Sequence, residues 1–189
     1  MVPVRVHCPA HITLLFSIHD SDSRLSHQGS RGAGFCVESG VNVAAELSER
    51  SSMGVRKDVS GQVNVWDRDE SRVDSEKEPS CYSMYHDIAE HFRNSGSIDE
   101  SQDVNLDVRL ELPCSQGFGM SAAGLLAAAE AYIRVLGITD STLAAGLAHR
   151  IERRRSTGLG DVLAMSAGGV ELRLEPGAPP EPGVVTGFA

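Results

Sequence analysis

The stretch Pro113-Cys114-Ser115-Gln116-Gly117-Phe118-Gly119-Met120-Ser121-Ala122-Ala123 decides the fold, because glycines there join a strand pattern to a helix pattern. Before it, apolar residues at 104, 106, 108 and 110 alternate with polar ones, which predicts a strand with one wet face. After it, residues 121–136 are rich in Ala and Leu and predict a helix closed by Gly137. The sequence therefore predicts a strand–loop–helix unit in an α/β (α+β) domain.

The glycine loop has the chemistry of a phosphate site. Gly117 and Gly119 let the backbone approach phosphate oxygens closely, and the helix that follows offers unpaired N–H groups and the positive end of its dipole. Ser121 is the first hydroxyl within reach and could coordinate the Mg²⁺ that accompanies ATP. The loop is neither a Walker loop nor the dinucleotide fingerprint, whose third glycine position is Ala122 here. A tight turn with small residues for packing is the alternative interpretation.

The sequence allows more than one role for each of two carboxylates downstream of the loop. Asp161 follows Gly158-Leu159-Gly160 at the start of a short helix, where it could cap the helix or orient and deprotonate an alcohol. Glu152 lies late in a helix, where a carboxylate is unfavourable with respect to the dipole. It must be solvated, paired with the arginines at 153–155, or bound to a cation.

The rest of the chain divides by composition. Residues 1–175 are expected to form one domain, with an acidic, variable segment at 48–80 in which disorder or a family-specific insertion is expected. Residues 26–34, with three glycines in the last six, are expected to form a loop, and residues 176–189 a Pro/Gly-rich linker. Further strands are predicted at 4–7, 35–37, 41–47, 63–66 and 169–174, and helices at 82–93, 142–153 and 161–166.

Charge and cysteine usage exclude several classes of protein. The net charge of −9 argues against nucleic-acid binding, including binding by a ribosomal-S5-like RNA domain, although it does not exclude a nucleotide. The four cysteines are scattered, with neither metal-ligand spacing nor a disulfide framework. Since no long apolar run or leader is present, we expect a soluble cytoplasmic protein that contacts no membrane.

At this point the loop resembles the phosphate loop of the GHMP kinases (galactokinase, homoserine, mevalonate and phosphomevalonate kinases), whose form is Pro-x-x-x-Gly-Leu-Gly-Ser-Ser-Ala. Phe118 and Met120 depart from that form, and Ser121 keeps the second serine. Within the superfamily, the order of motifs looks like that of the archaeal pantoate kinases. The motifs are Pro9-Ala10-His11-Ile12-Thr13, Gly29-Ser30-Arg31-Gly32-Ala33-Gly34, Gln116 to Ala123, and Thr157-Gly158-Leu159-Gly160-Asp161-Val162.

This resemblance implies a GHMP kinase N-terminal domain, of the type of domain 2 of ribosomal protein S5. It implies phosphorylation of pantoate to 4-phosphopantoate in coenzyme A biosynthesis, with ATP and Mg²⁺. Asp161 would be the catalytic aspartate, Ser121 and Glu152 would hold Mg²⁺, and His11, Thr13, Ser30 and Arg31 would lie at the acceptor site. The residues implied at ATP are Pro113, Gln116, Gly117, Phe118, Gly119, Met120, Ser121 and Ala122.

Two departures from the family keep other functions open. Leu15-Phe16-Ser17 stands where galactokinase-like members carry Gly-Glu-His, which argues against a sugar acceptor. Nothing like the superfamily's third glycine-rich motif follows the proline-rich segment, so a fragment, a split gene or a degenerate paralogue is expected. The alternatives are another GHMP kinase for a small hydroxy acid or mevalonate-like alcohol, and a non-catalytic nucleotide-binding domain. The expected partner is a separate C-terminal half or a second copy.

Overall fold

The computed structural model describes residues 2–50 and 61–188, so residues 51–60 of the acidic segment predicted to be variable lie outside the described residues. The described chain alternates strands and helices. The elements are β1 Val4–His19, β2 Gly29–Glu49, β3 Val63–Trp66, α1 Ser80–Asn94, β4 Gln102–Leu110, α2 Met120–Val135, α3 Leu143–Arg155, α4 Asp161–Ala167, β5 Val170–Glu175 and β6 Val184–Phe188, with a short 3-10 helix at Leu25–His27.

The strands form one six-stranded sheet in which β2 is the central element. The sheet order is β3-β4-β2-β5-β6, and β1 also pairs with β2 along nearly its whole length. One half of β2 pairs with β5 and the other half with β4. Only the pair β3–β4 is parallel; the other pairs are antiparallel. The long strand β2 therefore connects the glycine loop after β4 with the charged strand β5.

The helices cover one face of the sheet, and the core lies between the two layers. Along β4, Val104, Leu106 and Val108 are buried under the helices, whereas the alternating Asn105 and Asp107 are partly exposed on the other face. This is the alternation that the sequence predicted for the strand before the loop. Burying each such side chain contributes roughly 1.5–3 kcal/mol.

Helix α2 lies at the centre of the helical layer because its residues are small. Six of its sixteen residues are alanine, and all six are buried against β1, β2 and the neighbouring helices. Small side chains let the helix approach the sheet closely, so its first turn lies next to strands β1 and β2. The predicted helices at 82–93, 121–136, 142–153 and 161–166 are all confirmed to within a few residues.

The loop predicted at 26–34 is wrong for residues 29–34, because these residues begin strand β2. The glycines are needed for close approach of β1. A Cβ on Gly34 would overlap the imidazole of His11, and one on Gly32 would overlap the Leu15 carbonyl. The separately predicted strands at 35–37 and 41–47 are likewise parts of β2, and the strand predicted at 4–7 extends to His19. Two register shifts in β1 hide its period-2 pattern from the sequence.

The segment expected to be a linker also differs in the structure. Its strand β6 pairs antiparallel with β5, and Ala178 is buried, with its N–H bonded to the Ser26 carbonyl at 2.8 Å. Despite its proline-rich composition, this segment folds back onto the sheet, because the turn before β6 is held by contacts to residues far away in sequence. Within the part of the chain that the structure describes, no helix is long and apolar enough to cross a membrane.

Candidate active site

The glycine loop ends in a helix N-terminus that is open to an anion. Gly119 has a φ of 61°, in the left-handed region, and is followed directly by α2. No side chain in the described residues caps this end of α2, so its first N–H groups are free of intrahelical and capping partners. The Phe118 carbonyl accepts a hydrogen bond from the His11 N–H at 3.1 Å, which ties the loop to β1. The loop is thus held in place while its amides remain available.

A pocket of about 530 Å³ opens beside this loop. It brings together the glycine loop, the turn before α4, the strand β5 and the middle of β1. Its lining includes eight of the groups considered below: Thr13, Ser30, Gly117, Phe118, Gly119, Ser121, Asp161 and Arg173. Of the residues implied at ATP, Pro113 and Gln116 lie on the exposed side of the loop, and Ala122 is buried in α2.

Glu152 and Ser121 form the polar pair that the family resemblance implied at Mg²⁺. The Ser121 hydroxyl donates to Glu152 Oε1 at 2.7 Å, and Glu152 is only 2% exposed. Burial raises the pKa of Glu152 from 4.5 to about 7, against the opposing effect of the Ser121 hydrogen bond. Gly158 leaves the room for this carboxylate, since a Cβ there would overlap it. The solvated alternative for Glu152 is therefore excluded.

The hydrogen bonds of Arg153 and Arg155 go to other groups, and the charge of Arg153 offsets only part of the rise in the Glu152 pKa. Arg153 binds the Gln28 side chain and the Gly158 carbonyl, at 2.7 Å for the carbonyl. Arg155 forms a bidentate ion pair with Asp87 on α1, with its Nε and Nη2 2.6 and 2.8 Å from the two carboxylate oxygens. A buried carboxylate beside a hydroxyl, with its nearby cations engaged elsewhere, fits a divalent-cation ligand. Among the described residues, no cluster of three or more His, Cys, Asp or Glu is arranged to hold a metal ion.

Asp161 is the first residue of α4 and faces the glycine loop. It does not cap the helix, since the residue before α4 is Gly160 and no side chain caps that end. Its Oδ1 lies 2.8 Å from Nδ1 of His11, and its side chain is 25% exposed. A Cβ placed on Gly119 would stand 3.3 Å from the Asp161 carboxyl carbon. A substrate hydroxyl in the pocket can therefore reach Asp161 and the loop together.

The four residues expected at the acceptor site are only partly brought together. Thr13 and Ser30 line the pocket. His11 is fully buried behind Asp161 and does not line the pocket, because its ring lies between two carboxylates. Arg31 points to the opposite face of β2, where its half-exposed guanidinium pairs with Glu175 at 2.6 Å. Adjacent strand residues face opposite sides of a sheet, so Ser30 and Arg31 cannot serve the same pocket.

Arg173 takes the place in the pocket that the sequence assigned to Arg31. Its guanidinium is buried, with Nη1 3.2 Å from the Ser30 hydroxyl and Nη2 3.3 Å from the Thr13 hydroxyl. Its Nε lies 3.4 Å from the buried carboxylate of Glu171. A signal was present in the sequence, since β5 places Glu171 and Arg173 on one face and apolar residues on the other. Charged residues on the protected face of a strand mark a functional or structural ion pair.

The fold and this pocket together define an α+β domain, in which a sheet carries helices on one face and a glycine loop leads into the central helix. Comparison with known proteins gives the family. The GHMP kinases N terminal domain model matches residues 82–169. The pantoate kinase of Methanospirillum hungatei is 34% identical over 179 residues, covering 92% of this chain and 54% of that protein. The pantoate kinase of Thermococcus kodakarensis is 32% identical and is covered to 53%.

A solved structure described as a phosphotransferase related to the CoA biosynthesis pathway has a TM-score of 0.78 and 29% identity. The alignment covers 100% of this chain and 58% of that one. The chain belongs to the GHMP kinases and carries their N-terminal domain. It spans about half the length of the curated relatives it matches.

Proposed function

We propose that this domain serves ATP-dependent phosphorylation of a small hydroxy acid, and that the acceptor is pantoate. The observation that carries the proposal is that one pocket contains an open helix N-terminus, a carboxylate facing it, and a buried arginine. These groups match the parts of a phosphoryl transfer to an alcohol that also carries a carboxylate. The pantoate kinases among the relatives support the acceptor.

The phosphates of ATP would lie at the first turn of α2. The free N–H groups after Gly119 donate to phosphate oxygens, and the helix dipole favours the negative charge. Charge that moves to the leaving ADP during transfer is stabilised by the same donors. Such ATP-dependent chemistry fits the cytoplasmic location expected from the sequence.

Glu152 and Ser121 would hold Mg²⁺. The raised pKa of Glu152 supports this role, since its charged form is disfavoured until a cation neutralises it. The metal supplies charge neutralisation at the phosphate oxygens. The protein's contribution is to present one buried carboxylate and one hydroxyl 2.7 Å apart.

Arg173 and Asp161 would act on the acceptor. A guanidinium binds a carboxylate through two parallel hydrogen bonds. The Ser30 and Thr13 hydroxyls accept hydrogen bonds from Arg173 and so fix the orientation of its guanidinium. Asp161 then orients the acceptor hydroxyl and takes its proton as the oxygen bonds to the transferred phosphorus and the bond to ADP breaks. An acceptor without a carboxylate would not form this pair of hydrogen bonds with Arg173.

The test is ADP release by the purified chain with Mg-ATP and D-pantoate, homoserine, mevalonate or shikimate. Turnover confined to pantoate and lost in Asp161→Asn, with folding intact, supports the proposal. Turnover with another acceptor assigns that acceptor instead. A folded chain that binds ATP but turns over none of the four is a nucleotide-binding domain that is inactive alone.

We further propose that a second polypeptide, equivalent to the half of the relatives that this chain does not match, packs on the outer face of β5 and β6. Val170, Leu172 and Phe188 are 40–56% exposed there and form one apolar surface, whereas β4 presents polar residues on the same face. Light scattering tests this. A monomer that forms a complex when co-expressed with that half supports it, and a stable dimer that Leu172→Ser dissociates overturns it in favour of a second copy.

A further inference from the structure

A buried histidine connects the proposed catalytic carboxylate to a second carboxylate. Nδ1 of His11 lies 2.8 Å from Asp161 Oδ1, and Nε2 lies 3.1 Å from Glu171 Oε1. A carboxylate only accepts hydrogen bonds, so each contact requires an N–H on the ring. Both contacts are satisfied together only by the doubly protonated imidazolium.

The position of His11 is fixed on all sides. The side chain has no exposed surface, and Gly34 on β2 leaves just enough room for the ring, because a Cβ there would overlap it. The backbone N–H of His11 binds the Phe118 carbonyl of the glycine loop. The ring is thus held in one orientation, with contacts that tie it both to the glycine loop and to strand β5.

The charges around the ring favour its positive form. Asp161 on α4 and Glu171 on β5 are the two carboxylates, and Arg173 on β5 opposes them. Cys36 on β2 is the remaining titratable neighbour, with the pKa of its thiol raised by burial and by the two carboxylates. Burial lowers the pKa of His11, but the hydrogen bonds to Asp161 and Glu171 outweigh it and leave the pKa above 6.5.

We propose that His11 is a positioning residue: as an imidazolium fixed by Glu171, it orients Asp161 towards the glycine loop and offsets the negative charge of that carboxylate. The inference rests on the proposed function, in which Asp161 acts on the acceptor hydroxyl. Asp161 needs such a partner because it stands beside Glu152, another carboxylate. His11 itself touches no substrate, since it lies behind Asp161 and outside the pocket.

The kinetic test compares His11→Gln and Glu171→Gln with His7→Gln, an exposed histidine on the same strand that lies 3.7 Å from Glu111. We expect His11→Gln to lower kcat roughly 10- to 100-fold, part of the roughly 10²–10⁴-fold that a general base contributes. KM for ATP and for the acceptor should change less than about threefold, and the acid limb of the pH–rate profile should move to higher pH. Glu171→Gln should show a smaller loss of the same kind, and His7→Gln none.

A spectroscopic readout separates failure of this inference from failure of the proposed function. In ¹⁵N-labelled wild-type protein, the His11 ring should stay doubly protonated at pH 7, above the ordinary imidazole pKa of 6.5, and Asp161→Asn should lower the pH at which it loses its proton. That result supports the charged bridge even if no acceptor is turned over. A His11 that is neutral at pH 7, or a His11→Gln enzyme with normal kcat and an unmoved pH profile, would overturn the inference.

Discussion

Replacing Glu152 by glutamine should stabilise the metal-free protein while removing its response to Mg²⁺. Glu152 is 2% exposed, and burial raises its pKa from 4.5 to about 7. The folded protein therefore holds this group in a charged form that its surroundings disfavour. Glutamine has nearly the same shape, and its Oε1 can still accept the Ser121 hydrogen bond.

The magnitude follows from linkage between the pKa and stability. A tenfold change in a proton equilibrium corresponds to about 1.4 kcal/mol, so a pKa raised from 4.5 to about 7 costs about 3 kcal/mol. This cost is absent below pH 4.5, where the group is protonated in both states. It grows as the unfolded state ionises and is fully developed above pH 7. Because the glutamine amide keeps a desolvation cost of about 1 kcal/mol, we expect a net gain of about 2 kcal/mol at pH 8.

The assay is thermal unfolding at pH 5 and pH 8, with and without Mg²⁺ and a non-hydrolysable ATP analogue. At pH 8 without ligand, Glu152→Gln should unfold about 4–8 °C above wild type, and at pH 5 the two should nearly coincide. Added Mg²⁺ and nucleotide should raise the Tm of wild type and leave the variant unmoved. Glu90→Gln, an exposed position on α1, is the matched control. A variant that is less stable than wild type by the same amount at both pH values would refute the reasoning, since Glu152 would then be a satisfied structural anion.

Three further substitutions test the acceptor side of the pocket. Arg173→Lys should raise KM for the acceptor roughly 10- to 100-fold with little change in ATP affinity, because a lysine cannot donate the planar pair of hydrogen bonds; steady-state kinetics measures this. Arg31→Ala should leave both constants unchanged and cost at most about 1 kcal/mol in denaturant unfolding, since its pair with Glu175 is exposed. Gly160→Ala should destabilise the fold by about 1–3 kcal/mol and weaken acceptor binding, because the new Cβ would overlap Ser30 Oγ and Arg173 Nη1. Equal KM effects at Arg173 and Arg31 would contradict the assignment of opposite faces.

The elements predicted well from the sequence are those whose signal is local. Strand β4 alternates in period two, and α2 is an uninterrupted run of small helix formers, so both follow from periodicity alone. The glycine loop lies between them, so its position was predicted as well. In these elements, local propensity and the global fold agree.

The parts that could not be predicted depend on partners that are distant in sequence. Glycines at 29–34 indicate a loop by composition, yet they belong to β2 because β1 approaches them too closely for a side chain. The proline-rich end hides β6, whose pairing with β5 only the folded sheet defines. Arg31 and Arg173 differ in which face of the sheet they occupy, and the strand register that decides this cannot be read from residues 26–34 alone.

The groups missed from the sequence share one physical property, which is that each is a buried charge. Glu171 and Arg173 have almost no exposed surface; they lie next to each other on β5, and Glu171 also contacts His11 on β1. Burying a charge is unfavourable unless its partners are in place, so such groups persist only where the fold supplies all partners together. The alternation of β5 is the local signal of these two charges, whereas their partners on β1 and β2 leave no local trace. Strand β5 is an example. From its alternation of charged and apolar residues alone, one would expect an edge strand whose charged side chains face water. Its charged face is instead the wall of the pocket, and its apolar face is the exposed one.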